Sequence, residues 1–339
     1  MTGDRKLNKK KESKNNIFNA IVRNPNSMGL FGIICMIITF AVVVQLSNSV
    51  FLSRENMFNI LKQVVTYGLL AIAMAVPLIN GNFDMSISAS AALSGMIAAI
   101  LTTAGFAGIK MGFALAVFLS VCVCALVGLI NGLIVTYTRI SPFIVTLGTQ
   151  TAVKGIVYII CKNKAVGGLG ETFTFLGFGS VAGVPVSVLI LLAVFVIMGI
   201  VLRKTTFGRK IYANGGNYTA AYYSGIDVKR TRVLAYVVSG MISAIAGILL
   251  TARSGSAQPT AAEGYEATAI SICAMGGVAM HGGDGSVTGI LLGAIMMGMI
   301  SNGMNLMRIG SNWQYVVRGV ILIVAVFYSQ VIGDKAAKK

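Results

Sequence analysis

Long apolar stretches alternate along the chain with short breaks of Gly, Asn, Pro and charged residues. This rhythm predicts a bundle of membrane-crossing helices. Apolar runs fall at residues 28–47, 59–80, 89–104, 111–137, 143–161, 184–202, 233–252, 267–280, 287–307 and 313–332. About 20 apolar residues are needed to cross a bilayer as a helix, and most of these runs meet that length. The run at 267–280 is shorter, in the range where a broken or re-entrant segment is as expected as a full crossing. None of the runs alternates in polarity residue by residue as a barrel strand does. The fold class expected is therefore all-α, a polytopic transmembrane bundle of about ten spans, with eight as the lower bound.

Composition agrees. Of 339 residues, 56% are hydrophobic and only 11% charged, against roughly 25% charged in an average soluble domain. Lys and Arg number 27 against 10 Asp and Glu, a net charge of +17. In a soluble protein that excess would point to nucleic acid. In a membrane protein it reports topology, because Lys and Arg concentrate in short cytoplasmic segments. With ten spans and the N-terminus inside, 18 of the 27 cations fall on the cytoplasmic side: seven in 1–27, Arg139, seven between Arg203 and Arg232, and Lys335, Lys338 and Lys339. The division expected is a basic cytoplasmic tail at 1–27, a transmembrane domain at 28–332 containing a polar cytoplasmic loop at 203–232, and a short cytoplasmic tail at 333–339. The hydrophilic start is too long for a cleaved signal peptide, so the first run reads as an uncleaved span.

The chemistry-bearing residues exclude several classes. One His and five Cys, none in a CxxC pair, give no zinc or iron–sulfur pattern. No GxxxxGK[ST] phosphate loop occurs, so no cofactor is expected in this chain. ATP and Mg²⁺, if used, belong to a partner. Glu263 and Glu266 lack a nearby base in sequence and read as part of a solvated connection.

The remaining polar residues sit at helix breaks. In Gly81-Asn82-Phe83-Asp84-Met85-Ser86-Ile87-Ser88 an acid lies between two apolar runs. There a carboxylate either caps the next helix or lines a polar path. Asn131-Gly132 and Asn302-Gly303 fall late in the fourth and ninth runs. An odd spacing of five runs suggests two five-helix halves of opposite orientation. Asn131, Asn302, Asn305 and Gln314 offer hydrogen bonds either to neighbouring helices or to a polar solute. Gly289 and Gly293 have the spacing that lets helices approach closely, within one subunit or at a dimer seam. In the loop at 203–232, Gly215 and Gly216 read as a chain break, Asn217 as a cap, and 218–224 as a short helix ended by Gly225. Such a helix would either transmit a push from a soluble partner or lie in a basic loop held at anionic lipid headgroups.

Five blocks in order carry a resemblance to a known family. They are GNFDMSIS at 81–88, NGLIVTYTRISPFIVTLGT at 131–149, FGRKIYANGGNYTAAYYSGIDV at 207–228, RSGSAQPTAAEGYE with GGVAMHGGDGSVTGILLGA across 253–294, and NGMNL with WQYVVRG across 302–319. Together the chain resembles the permease subunits of bacterial ABC importers for monosaccharides of the ribose, galactose and xylose type, from about residue 51 to 325. The resemblance implies a pore formed with a second permease copy or a paralogue, a cytoplasmic ABC ATPase, and an external sugar-binding protein. It implies alternating access with no covalent chemistry in this subunit. It makes 218–226 the helix that couples to the ATPase, with Gly208, Arg209, Gly215, Gly216, Asn217, Ala220, Ala221, Gly225 and Ile226 in that role. Asp84, Phe143, Thr146 and Asn302 resemble members of the family's pore-side segments. Asn82, Thr268 and Met280-His281 depart from the family's usual residues, which leaves sugars other than ribose open. The alternative is a secondary transporter or channel for a small polar solute. That would need acids in the membrane for ion coupling, and Asp84 is nearly the sole candidate.

Overall fold

A computed structural model describes residues 25–103 and 110–337. Most of the basic N-terminal tail, the last two lysines and the end of the third apolar run at Ala104 lie outside the described residues. The chain is built of helices: α1 Pro25–Ser47, α2 Arg54–Ile79, α3 Ile87–Thr102, α4 Phe113–Tyr137, α5 Pro142–Cys161, α6 Glu171–Phe178, α7 Val186–Lys204, α8 Thr206–Gly216, α9 Tyr218–Tyr223, α10 Val228–Ser254, α11 Tyr265–Met275, α12 Val287–Leu306 and α13 Ser311–Ala337. A small antiparallel pair, β1 Ser180–Val181 and β2 Val184–Pro185, joins α6 to α7.

Six helices, α2, α4, α5, α7, α10 and α12, are long and apolar enough to cross a membrane, and α1, α3 and α13 carry shorter apolar stretches. The protein is thus an all-α polytopic membrane protein. At the centre runs α2, buried without a break from Val64 to Ile79. A helix apolar all round belongs in the interior of a bundle, and α10, α11, α12 and α7 surround it. The second axis, α10, packs against α2, α3, α4 and α6. By contrast α4, α5, α7 and α13 turn rows of large apolar side chains outward, among them Phe118, Ile144, Ile159, Val196 and Ile323.

The helix approach at Gly289 and Gly293 is internal. A Cβ on either would strike the backbone of α11 or of Gly276 just after it, so the GxxxG spacing serves packing within this chain. Several boundaries differ from the hydrophobic pattern. The run at 267–280 forms a helix of 11 residues that stops at Gly276, because a Gly-rich loop follows. The run at 184–202 begins in β2 before the helix. Helix α13 continues through residues 333–337 to Ala337. The connection after α5 holds a short helix, α6, that the composition of a Gly-rich loop conceals. Its Phe173 is buried edge-on to Phe113 with centroids 5.0 Å apart.

Candidate functional sites: a carboxylate node, a helix pair and a cavity

The break between α2 and α3 sets up the first site. Pro77 lies in the last turn of α2, and Gly81 takes a positive φ of 80° that turns the chain, a conformation that costs Gly nothing. Asp84, 1% exposed, then sits inside the bundle. Its Oδ1 accepts from the Ser86 hydroxyl at 2.6 Å and the Ser86 backbone N–H at 3.1 Å, and its Oδ2 accepts from Ser239 of α10 at 2.7 Å. Asn131 of α4 donates to Ser86 Oγ at 2.9 Å. Thr146 of α5 accepts the Met85 N–H at 3.1 Å and donates to the Pro142 carbonyl at 2.9 Å. The Tyr236 hydroxyl donates to the Phe83 carbonyl at 2.9 Å.

Asp84, Asn131 and Thr146 therefore come together, tying α4, α5 and α10 to one chain break. The carboxylate does not cap the N–H groups of α3 itself. It takes the N–H of Ser86, one residue before that helix, because Ser86 occupies the cap position. The other three residues read as path candidates lie apart. Phe143 is 46% exposed on the outer face of α5. Asn302 exchanges two amide hydrogen bonds with Asn56 of α2, both 2.9 Å, a pairing between helices. Asn305 accepts from Gln314 at 2.8 Å beside a cavity on the far side of the bundle. Among the described residues no three His, Cys, Asp or Glu side chains converge as a metal site.

The loop at 203–232 is more ordered than its polarity suggests. Thr205 caps α8 by accepting the Gly208 N–H at 3.2 Å. A Cβ on Gly208 would strike the Leu202 carbonyl, so this residue permits the sharp turn from α7 to α8. Gly215 and Gly216 do not break the chain. They form the last turn of α8, and the break falls at Asn217, whose side chain accepts the Ala220 N–H at 2.9 Å and starts α9. The glycines have another use. A Cβ on Gly215 would collide with the Ile79 carbonyl, so glycine lets α8 touch the end of α2.

Around that contact Asn214 donates to the Asn80 side chain at 2.7 Å, Gly283 N–H donates to the Ile79 carbonyl at 2.8 Å, and the Tyr212 hydroxyl donates to the Gly285 carbonyl at 2.8 Å. Burial, with the nearby Asp284 charge, holds the Tyr212 hydroxyl above its ordinary pKa. Gly225 ends α9 with φ of 79°, and Ile226 N–H closes back on the Ala221 carbonyl at 3.1 Å. Ala221 faces inward, while Ala220, Tyr222 and Tyr223 face out, Tyr223 at 82% exposure. Arg209, Lys210, Lys229 and Arg230 are exposed around them.

The sequence reading passed over Tyr222 and Tyr223, although two adjacent aromatics in a basic loop were the available signal. Glu263, expected from the sequence in a solvated connection, pairs with Lys154 of α5 at 2.6 Å. The sequence reading also missed the cavity between α2 and α13, for which Arg318 within the last apolar run was the sign.

The fold is that of a polytopic helical membrane protein. Residues 56–326 match the model of a family described as the permease component of branched-chain amino acid transport systems. The chain is 38% identical over 287 residues to the ribose import permease protein of Bacillus subtilis, covering 84% of this chain and 88% of that one. It is 38% identical to the L-arabinose transport system permease protein of Escherichia coli, covering 78% and 79% of the two. It is 36% identical to the D-allose transport system permease protein of the same species, covering 90% and 91%. No solved structure matches. The chain belongs to this permease family.

Proposed function

We propose that the chain is the membrane subunit of an ATP-driven importer and forms, with a second copy or a paralogue, the path for a monosaccharide or related small polar solute. Three relatives named for three different sugars support the solute class, and the family model's own description covers other solutes. The observation that carries the mechanism is the α8–α9 pair: an outward surface of tyrosines and cations on a base hydrogen-bonded to the ends of α2 and the 276–286 loop. A soluble ATPase moving against that surface would displace the end of α2 directly, and with it the break that carries Asp84. ATP and Mg²⁺ act in that partner, and an external binding protein delivers the solute. Energy enters as differential contact of α9 with the ATPase states.

On this reading the helix pair and both termini are cytoplasmic and the spans number ten. The segment 265–283 supplies the crossing that α11 alone is too short to make. Its Tyr265 ring lies tilted against that of Tyr67 midway along α2, centroids 5.1 Å apart, and its Gly283 N–H donates to the Ile79 carbonyl at the end of α2. The Asn-Gly pairs in α4 and α12 fit two inverted five-helix halves, and the outward apolar rows of α4, α5, α7 and α13 serve lipid or the second permease. Asp84 already holds three donors, which leaves it poorly suited to bind and release a coupling ion and weighs against a gradient-driven carrier.

The test is uptake by proteoliposomes holding permease, ATPase and sugar-loaded binding protein. Tyr223→Asp, which changes an exposed side chain, should leave the subunit folded and cut ATP-dependent uptake at least tenfold. Parental uptake by that variant would defeat the coupling assignment. Uptake driven by an ion gradient and indifferent to ATP would defeat the importer.

A further inference from the structure

A cavity of about 160 Å³ lies between α2, α10, α11, α12 and α13, beside the middle of α2 and the ends of α10 and α12 away from the α8–α9 pair. Its wall holds two guanidinium groups, those of Arg253 and Arg318, with Gln63, Tyr67, Tyr265 and Gln314. Arg318 donates to the Tyr67 hydroxyl at 3.1 Å and stands 5.9 Å from the ring centroids of both Tyr67 and Tyr265. Arg253 donates to the Lys62 carbonyl at 3.1 Å. Neither has a carboxylate. Among the described residues the single ion pair within 4.0 Å is Lys154–Glu263, and Glu266, next to Tyr265 in sequence, reaches neither guanidinium. The C-terminal dipole of α10 compensates Arg253 in part, but Arg318 stands in the second turn of α13, where a dipole adds to its charge. Two buried polar atoms in the wall, Arg318 Nε and Gln63 Oε1, have no hydrogen-bond partner.

Charges inside a membrane bundle are costly unless paired, and each unused buried donor adds to that cost. A neutral polyol would satisfy donors and leave both cations uncompensated. An oxyanion answers the two charges and the free Arg318 Nε donor, since guanidinium groups bind planar or tetrahedral oxyanions through paired N–H donors, and the free Gln63 Oε1, an acceptor, takes the hydroxyl of a hydrogen phosphate. We propose that this cavity is a binding site for one small oxyanion of the phosphate or carboxylate class, held by Arg253 and Arg318 and oriented by Gln63 and Gln314. The anion comes from solution or from a phospholipid headgroup, and in either case it locks α13 to α2 and α10. The site is separate from the Asp84 node and does not depend on which solute the subunit carries.

The chain's single tryptophan, Trp313, adjoins Gln314 and serves as reporter. The full chain, stripped of phospholipid in a polyoxyethylene detergent, is titrated with inorganic phosphate at constant ionic strength set by chloride. A saturable change in Trp313 fluorescence is expected. Arg318→Gln and Arg253→Gln should each move its midpoint at least tenfold, whereas Arg318→Lys should keep a weakened response and Arg139→Gln, at the other end of the bundle, the parental one. Phosphatidylglycerol added beforehand will abolish the phosphate response if the resident anion is a headgroup and leave it intact if the anion is free phosphate; both results support an oxyanion site. The proposal is overturned by a folded wild-type chain that shows no phosphate response, by the same midpoint in Arg253→Gln as in wild type, or by a response to ribose that phosphate does not displace.

Discussion

The node at Asp84 and the cavity at Arg318 are both polar islands in an apolar bundle, and they solve the same problem in opposite ways. At the node one carboxylate takes three donors from the chain itself, and Asn131, Thr146 and Tyr236 add bonds across three helices, with Asn131 Oδ1 left without a partner. At the cavity two cations face space, with a donor and an acceptor unused. A buried charge met by the chain's own hydrogen bonds holds its neighbours in one packing, while a buried charge without a counter-charge is costly and marks where an ion can be added. The node therefore reads as the fixed joint of the subunit and the cavity as a place for a ligand. This difference separates two roles that a list of intramembrane polar residues would merge.

Substitutions at the two islands should then differ in size and in dependence on added ligand. Asp84→Ala leaves two serine hydroxyls and an N–H without their acceptor, at roughly 1–3 kcal/mol for each unpaired buried group. It should give the largest loss, about 3 kcal/mol or more, seen as a drop in unfolding temperature in lipid nanodiscs. A loss below about 1 kcal/mol would mean that the carboxylate does not hold its three donors in the membrane. Next, Gly215→Ala drives a methyl group into the Ile79 carbonyl and should cost about 1–3 kcal/mol. It also separates α8 from the joint, so uptake should fall more than ATPase activity does in the reconstituted importer. Equal falls would disconnect the helix pair from the node.

Arg318→Gln should change stability by less than about 1 kcal/mol without added anion, because it removes a cation that lacks a counter-charge along with its weak ring contacts. In phosphate the wild type should gain unfolding temperature and the variant should not. A loss as large as that of Asp84→Ala would erase the contrast between the islands. Smallest of all, Glu263→Gln breaks a half-exposed ion pair with Lys154 and should cost no more than about 1 kcal/mol, falling toward zero in high salt. A cost that salt does not reduce would show the pair to be shielded from water.

How much of this was legible beforehand can be judged residue by residue. Asp84 stood out as an acid between apolar runs, and Asn217 and Gly225 as cap and terminator of a short helix, because each follows from local chemistry. The role of Gly215 did not. Two consecutive glycines look like a break when only neighbours in sequence are considered, and their use becomes visible once Ile79, more than a hundred residues earlier, is placed against them. The pairing of Asn302 with Asn56 was equally hidden, since the same amide serves a neighbour helix or a solute and only position decides. Helix α8 was lost in a polar loop because its single buried face, Ile211 and Asn214, packs on residues far away in sequence.

By itself, then, the sequence determined what depends on runs and on local geometry: a polytopic helical bundle, the cationic bias of the segments assigned to one side, the places where helices stop, and the order of blocks that marks the permease family. Tertiary structure alone decided which polar groups satisfy one another. Hydrogen-bond partnership in an apolar bundle joins helices distant in sequence at separations of about 3 Å, and no periodicity along the chain encodes that register. It placed Ser239 and Asn131 on the Asp84 node, and it left Arg253 and Arg318 facing a cavity with no acid to meet them.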